Sequence, residues 1–168
     1  TVVTFDASAN TAILNTGVSL TTANTAASTV IGSAGNDTIV IRSSAVNDSI
    51  SAGAGTDGIR FVGNYSVDDT IDGGDGSDKL IVTSLAALAL TNVSNVETLV
   101  LGGAGSASLA ANVSFTTIDM DDGTNDTAAQ SLTLATGYTN ATTVLVDAGD
   151  SVTNTANAAL TVTATDAK

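Results

Sequence analysis

The chain has 168 residues, with 16 Asp and one Glu against four Lys plus Arg, for a net charge of −13. That balance repels phosphates and excludes nucleic acid as a natural partner, while 43% hydrophobic residues is too apolar for a disordered acidic tail. Cysteine and histidine are absent, which excludes disulfides, thiolate or imidazole zinc sites, and Ser-His-Asp or Cys-His catalysis. Residues 1–22 read as N-terminal strands and a cap rung, with Val2–Phe5 and Val18–Thr21 as the strands. From residue 23 a nine-residue pattern takes over, G-G-x-G-x-D-x-U-x with U a large apolar residue. Its full copy is 73–81: Gly73, Gly74, Asp75, Gly76, Ser77, Asp78, Lys79, Leu80, Ile81. Residues 32–40 miss only the second glycine, and residues 52–60 miss only the first. Weaker copies lie between them. Residues 43–51 keep Asp48 and Ile50, residues 64–72 keep Asp69 and Ile71, and residues 23–31 keep only the strand end at Val30.

Weak and strong copies alternate. Two nonapeptides per turn make a flattened right-handed parallel β-roll, a β-solenoid, in which all strong loops fall on one edge and all weak loops on the other. Successive turns sit roughly 4.8 Å apart, so Asp37, Asp57 and Asp78 are predicted to stack. Bare carboxylates at that spacing repel by roughly 3–4 kcal/mol at an effective dielectric of 20. A calcium ion between them turns repulsion into coordination by oxygen. The glycines permit positive φ and let carbonyls approach the ion. The expected ligand set is therefore Gly32, Ala34, Gly35 and Asp37 in the first strong loop, and Gly53, Gly55 and Asp57 in the second. Gly73, Gly74, Asp75, Gly76 and Asp78 complete it in the third. Two calcium sites are expected, one in each gap between consecutive strong loops. On the weak edge Asp48 and Asp69 also stack, either as further ligands or as a solvated acidic face. Position eight of each copy supplies the core: Val30, Ile39, Ile50, Ile59, Ile71 and Leu80.

After Leu80 the acidic turns stop, and residues 82–168 are expected to continue as calcium-poor solenoid rungs. Residues 85–90 read as a short helix or a strand, and 96–101 alternate as a strand. Residues 102–110 are a nonapeptide whose Asp is replaced by Ala107. Two rungs are expected beyond it, one pairing 117–120 with 131–134 and one pairing 143–146 with 160–163. Asp119, Asp121, Asp122 and Asp126 form an acidic cluster that either gathers a calcium or is a solvated loop; its spacing is not that of an EF-hand. Asp147 and Asp150 are a weaker candidate. No run of 18 apolar residues predicts a transmembrane helix. The start at Thr1 suggests a piece of something longer.

The nonapeptides at 32–40, 52–60 and 73–81 resemble the RTX family, proteins that leave Gram-negative bacteria by type I secretion and fold outside the cell on binding calcium. The wider chain, rich in Thr, Ala, Gly and Ser, resembles RTX-type surface-layer proteins. That resemblance implies an extracellular, cell-surface location and self-association into a lattice or oligomer. It also implies attachment to outer-membrane lipopolysaccharide through other parts of a parent chain. The expected function is a calcium-stabilised structural segment, not an enzyme. The alternatives are a calcium-rigidified spacer of an RTX adhesin and an accessory module of a secreted enzyme.

Overall fold

A computed structural model describes residues 3–10, 17–22, 25–42, 47–63, 65–109, 113, 115–120, 129–140, 142–156 and 158–165. Among them every regular element is a strand, and all strand pairs are parallel. The chain coils as a β-solenoid, and each turn adds one strand to a long eight-stranded sheet. The first turn carries β1 (Val3–Asp6) and β2 (Ser19–Thr22), and the second β3 (Ser28–Ile31) and β4 (Thr38–Ile41). Next come β5 (Ser49–Ser51), β6 (Ala54–Gly55) and β7 (Gly58–Phe61), then β8 (Thr70–Asp72), β9 (Asp75–Gly76) and β10 (Lys79–Val82). A three-strand turn follows, with β11 (Leu85–Leu90), β12 (Val93–Ser94) and β13 (Thr98–Leu101). The remaining turns are β14 (Gly105–Leu109) with β15 (Thr117–Asp119), β16 (Gln130–Leu134) with β17 (Thr142–Val146), and β18 (Ser151–Asn154) with β19 (Leu160–Ala164).

The long sheet runs β2-β4-β7-β10-β13-β15-β17-β19. The first half of the opposite side is a five-stranded sheet ending on β12, and the second half a four-stranded sheet starting on β11. Both belong to the turn at 85–101, where the sequence loses its acidic loops. The expected boundary between residues 81 and 82 falls inside β10.

Period-two alternation sets which side chains enter the core. On the long sheet the column Ile39, Ile59, Leu80, Leu99, Ile118, Val144 is in register, with every member buried. Two residues on, Ile41, Phe61, Val82 and Leu101 form a second buried column. From the opposite side Val30, Ile50, Ile71 and Val93 meet them. All six expected position-eight residues are thus core. Each such side chain contributes about 1.5–3 kcal/mol on burial, and the β-branched ones suit the pleat.

Residues 85–90 are a strand, not a helix. Segments 117–120 and 131–134 carry β15 and β16, which lie in opposite sheets and in consecutive turns as counted above. The expected rung made of 143–146 with 160–163 is corrected: these are β17 and β19, hydrogen-bonded neighbours in the long sheet. The strand facing them is β18, whose sequence Ser-Val-Thr-Asn hides its role because it carries one apolar side chain and is largely exposed. In the nonapeptide without Asp, Gly103 and Gly105 hold φ of 94° and 144°. The corresponding pairs are Gly53 and Gly55 at 112° and 136°, and Gly74 and Gly76 at 97° and 142°. The same glycine corner therefore persists, but at 102–105 it leads out of the long sheet instead of into it. Ala107 is buried, and its register partners on the neighbouring strands are Leu88 and Leu132.

Candidate metal centre

The three strong loops stack on one edge, each joining the five-stranded sheet to the long sheet. The short strands β6 and β9 pair Ala54 with Asp75 and Gly55 with Gly76. Asp75 N–H donates to Gly53 O at 2.9 Å and Ser77 N–H to Gly55 O at 3.3 Å, while Ala54 N–H donates to Ser33 O at 3.2 Å. Glycine is required by this closeness. A methyl on Gly74 would overlap Gly53 O, and one on Gly76 would overlap Gly55 O. Each of these carbonyls keeps a second lone pair.

Asp37, Asp57 and Asp78 form the predicted column and are 2%, 2% and 1% exposed. Each carboxylate reaches back one turn to a backbone amide. Asp37 N–H donates to Asp57 Oδ1 at 2.7 Å, and Asp57 N–H to Asp78 Oδ1 at 2.8 Å. The column extends one member further than the pattern predicts: Asp78 N–H donates to Glu97 Oε2 at 2.7 Å. Glu97 follows Asp78 by 19 residues and precedes Thr-Leu-Val, much as Asp37 precedes Thr-Ile-Val. That spacing is the signal that could have found it.

The second carboxylate oxygens divide the column. Asp37 is satisfied within its own loop, since Ser33 donates its N–H to Oδ2 at 2.6 Å and its hydroxyl to Oδ1 at 2.8 Å. Oδ2 of Asp57 and Oδ2 of Asp78 are buried without a hydrogen-bond partner. Leaving a charged acceptor in that state costs more than the 1–3 kcal/mol typical of a neutral group. Burial pushes the Asp57 carboxyl up to about 6, against the opposing pull of the Asp37 N–H; the charges of Asp78 and Asp37 add to the rise. Burial also raises Asp78, whose bond from Asp57 N–H opposes the shift while Glu97 and Asp72 reinforce it.

Of the other expected ligands, Gly32, Gly35 and Gly73 are buried, Gly53, Gly55 and Gly74 half-buried, and Ala34, Asp75 and Gly76 exposed. Gly32 lies against Ala52 O and Asp37 Oδ2, both of which a methyl there would meet. On the weak edge Asp48 and Asp69 stack and are buried, while Asp68 beside them is exposed. Asp48 N–H donates to Asp69 Oδ1 at 2.7 Å and Ser28 N–H to Asp48 Oδ1 at 2.7 Å, while Ser66 N–H binds Asp69 Oδ2 at 2.7 Å. Burial raises the Asp69 carboxyl, although the two amide bonds oppose it. Asp150 makes a similar bond in the second half, accepting Gln130 N–H at 2.9 Å and Asp147 N–H at 3.2 Å. Asp121, Asp122 and Asp126 lie outside the described residues.

Among the described residues no three acidic side chains converge on one point. A cation on the strong edge must therefore be held mainly by backbone carbonyls, with one or two carboxylates. The residues fit a hard, oxygen-seeking ion of that kind. Two buried carboxylate oxygens lack partners, Asp57 Oδ2 and Asp78 Oδ2, and the loops that carry them stack so closely that a methyl on Gly74 or Gly76 would strike a carbonyl.

The raised carboxyls set a pH dependence. Asp57, Asp69 and Asp78 bind protons more tightly when folded than when unfolded, so between the unfolded value of 3.8 and about 6 the folded state of Asp57 carries the extra proton. Stability then falls as pH rises through that window. In metal-free buffer the melting temperature is expected to be higher at pH 5 than at pH 7. A melting temperature that falls steadily from pH 7 to pH 5 would contradict the burial-raised state of these carboxyls.

No family model, curated protein or solved structure matches the chain.

Proposed function

We propose that this chain is a calcium-stabilised structural segment of a secreted bacterial surface protein that assembles into a lattice. The observation that carries the calcium reading is the pair of buried, unpartnered oxygens, Asp57 Oδ2 and Asp78 Oδ2, in the two loops that β6 and β9 stack. Calcium bound between the 52–57 and 73–78 loops would neutralise both carboxylates and accept carbonyl ligands from the glycine turns. A second ion in the gap between the 32–37 and 52–57 loops competes with Ser33, which already serves Asp37, and is the weaker of the two. The bound ion supplies charge neutralisation; the chain's own residues fix the loops in register and exclude water from the carboxylates.

A structural role agrees with the absence of histidine and cysteine and with carboxylates that already bond backbone amides of the preceding turn. The surface-layer reading rests on the resemblance of the nonapeptides and of the Thr/Ala/Gly-rich remainder to RTX surface-layer proteins. Location outside the cell, type I secretion and self-association follow from that reading. A spacer role in an adhesin is the second reading, favoured by the continuous eight-stranded sheet that makes a stiff stack.

Calcium titration by calorimetry with light scattering on the same samples tests both levels. Saturable calcium binding is expected, with Asp57→Ala losing more affinity than Asp48→Ala. Scattering is expected to rise with calcium and not with sodium chloride at matched ionic strength, because screening cannot coordinate two loops. A chain that binds calcium and stays monomeric at millimolar concentration moves the reading to the spacer. A chain that binds none overturns the calcium reading.

A further inference from the structure

Among the described residues β1 and β2 bond a neighbouring strand on one side only, and so do β18 and β19 at the other end of the stack. The two open edges of the long sheet are β2, Ser-Leu-Thr-Thr, and β19, Leu-Thr-Val-Thr-Ala. Neither carries a charge, a proline or a register shift, the devices that keep an edge strand from pairing. In a chain of net charge −13, these edges meet without bringing carboxylates together. Three large apolar side chains are exposed among the described residues, and two of them sit at opposite ends. Val3 on β1 is 49% exposed and Val162 on β19 is 51% exposed. A cavity of about 270 Å³ opens between β1 and β2, walled by Val3, Phe5, Leu20 and Val30.

The two edges are also opposite in polarity. Successive residues of a parallel strand turn their backbone groups to alternate neighbours. Inside the long sheet, core-facing residues offer carbonyls to the following strand: Ile41 O accepts from Val62 N–H at 2.9 Å and Phe61 O from Thr83 N–H at 3.3 Å. The outward-facing residues bond back to the preceding strand. β2 bonds β4 through Val18 O and Thr22 O, so the backbone groups of Ser19 and Thr21 point away from the stack. β19 bonds β17 through Ala159 O and Thr165 N–H, so those of Leu160, Val162 and Ala164 point away. Val162 is in register with buried Val144 and is therefore core-facing. The stack thus ends on an edge that offers what a following strand accepts, and begins on an edge that accepts it.

We infer that the β19 edge of one copy takes the β2 edge of a second copy as its next parallel strand, so that chains join head to tail and the long sheet runs through both. Leu20 of the second copy then stands opposite Val162, which covers the mouth of the cavity. Ser19 N–H and Thr21 N–H reach Leu160 O and Val162 O, repeating the bond from Thr38 N–H to Val18 O between β2 and β4. The two surfaces differ, so the contact does not close at two chains and grows as a filament. The inference deepens the self-association reading proposed above by naming its surface. No loop carboxylate takes part, so calcium bridging is not its cause.

Sedimentation of the folded chain in saturating calcium, over rising protein concentration, tests it with two variants. Val162→Lys puts a charge on an exposed side chain at the β19 edge. Thr21→Pro removes an amide that points away from β4. Both are expected to keep the unmodified melting temperature and to sediment as monomers, where the unmodified chain forms species that lengthen with concentration. Each variant retains one working edge, so an equal mixture of the two is expected to stop at a dimer. A contact between like ends would not give that result. An unmodified chain that stops at a closed dimer, or a mixture of folded variants that stays monomeric, overturns the inference. Variants that assemble with calcium as the unmodified chain does also overturn it, and leave the lattice reading standing on other surfaces. An unmodified chain that stays monomeric at millimolar concentration overturns both.

Discussion

Stripping calcium with excess chelator is expected to lower stability by roughly 4 kcal/mol for each site that was held at about a thousand times its dissociation constant. A domain of this size has only about 5–15 kcal/mol in total, so loss of two ions consumes much of it. The effect is expected to be local. Amides of β3 to β10 should lose hydrogen-exchange protection, whereas β15 to β19, far along the stack, should keep theirs. The carboxylate bonds to Asp37, Asp57 and Asp78 amides persist without metal, so the roll should loosen rather than vanish. A melting temperature and β circular dichroism unchanged by exhaustive chelation would sink the claim that calcium sets this fold.

Gly76→Ala is expected to be the most damaging single methyl among the described glycines, and Gly63→Ala supplies its control. Both glycines hold positive φ, 142° and 116°, so both substitutions carry about 1–3 kcal/mol of backbone strain. A methyl on Gly63 meets nothing within 4 Å, whereas one on Gly76 overlaps the Gly55 carbonyl. Relief requires β9 to leave β6, breaking the bonds from Asp75 and Ser77 and opening the gap proposed to hold calcium. The difference between the two variants should be about 4 kcal/mol in saturating calcium. It should shrink in chelator, where the ion's share is already gone. Denaturant melts of both variants, with and without calcium, measure it. Equal losses for Gly63→Ala and Gly76→Ala would show that the loop stack contributes nothing.

The strong loops were legible because each defining position answers one backbone demand. Glycines stand where a side chain would strike the turn below, Asp stands where an amide needs an acceptor, and the eighth residue faces the core. Those demands recur at each turn, so they print a period on the sequence. Glu97 escaped because its loop was shortened and its residue type changed together, removing every glycine cue while keeping the bond. The burial of Asp48 and Asp69 escaped for a related reason: their partners are backbone amides of Ser28, Asp48 and Ser66, which leave no mark in composition. Strand β18 escaped because a half-exposed strand needs few apolar residues. The exchange of one opposing sheet for another at β11 and β12 could not be read at all, since both halves share the same alternation.

The carboxylate–amide bonds join residues 19, 20 or 21 apart. In a chain of 168 residues a typical separation near 20 corresponds to a relative contact order of about 0.12, well below the ~0.16–0.22 of most all-β domains. No strand has to wait for a distant partner. Each coil closes on the one just formed as soon as some twenty more residues are present, so the entropy of loop closure is met in small equal instalments. Growth is then vectorial, zipping from whichever coil is nucleated first. A chain threaded end-first through a narrow conduit could therefore begin to fold at its emerging tip before the remainder arrives.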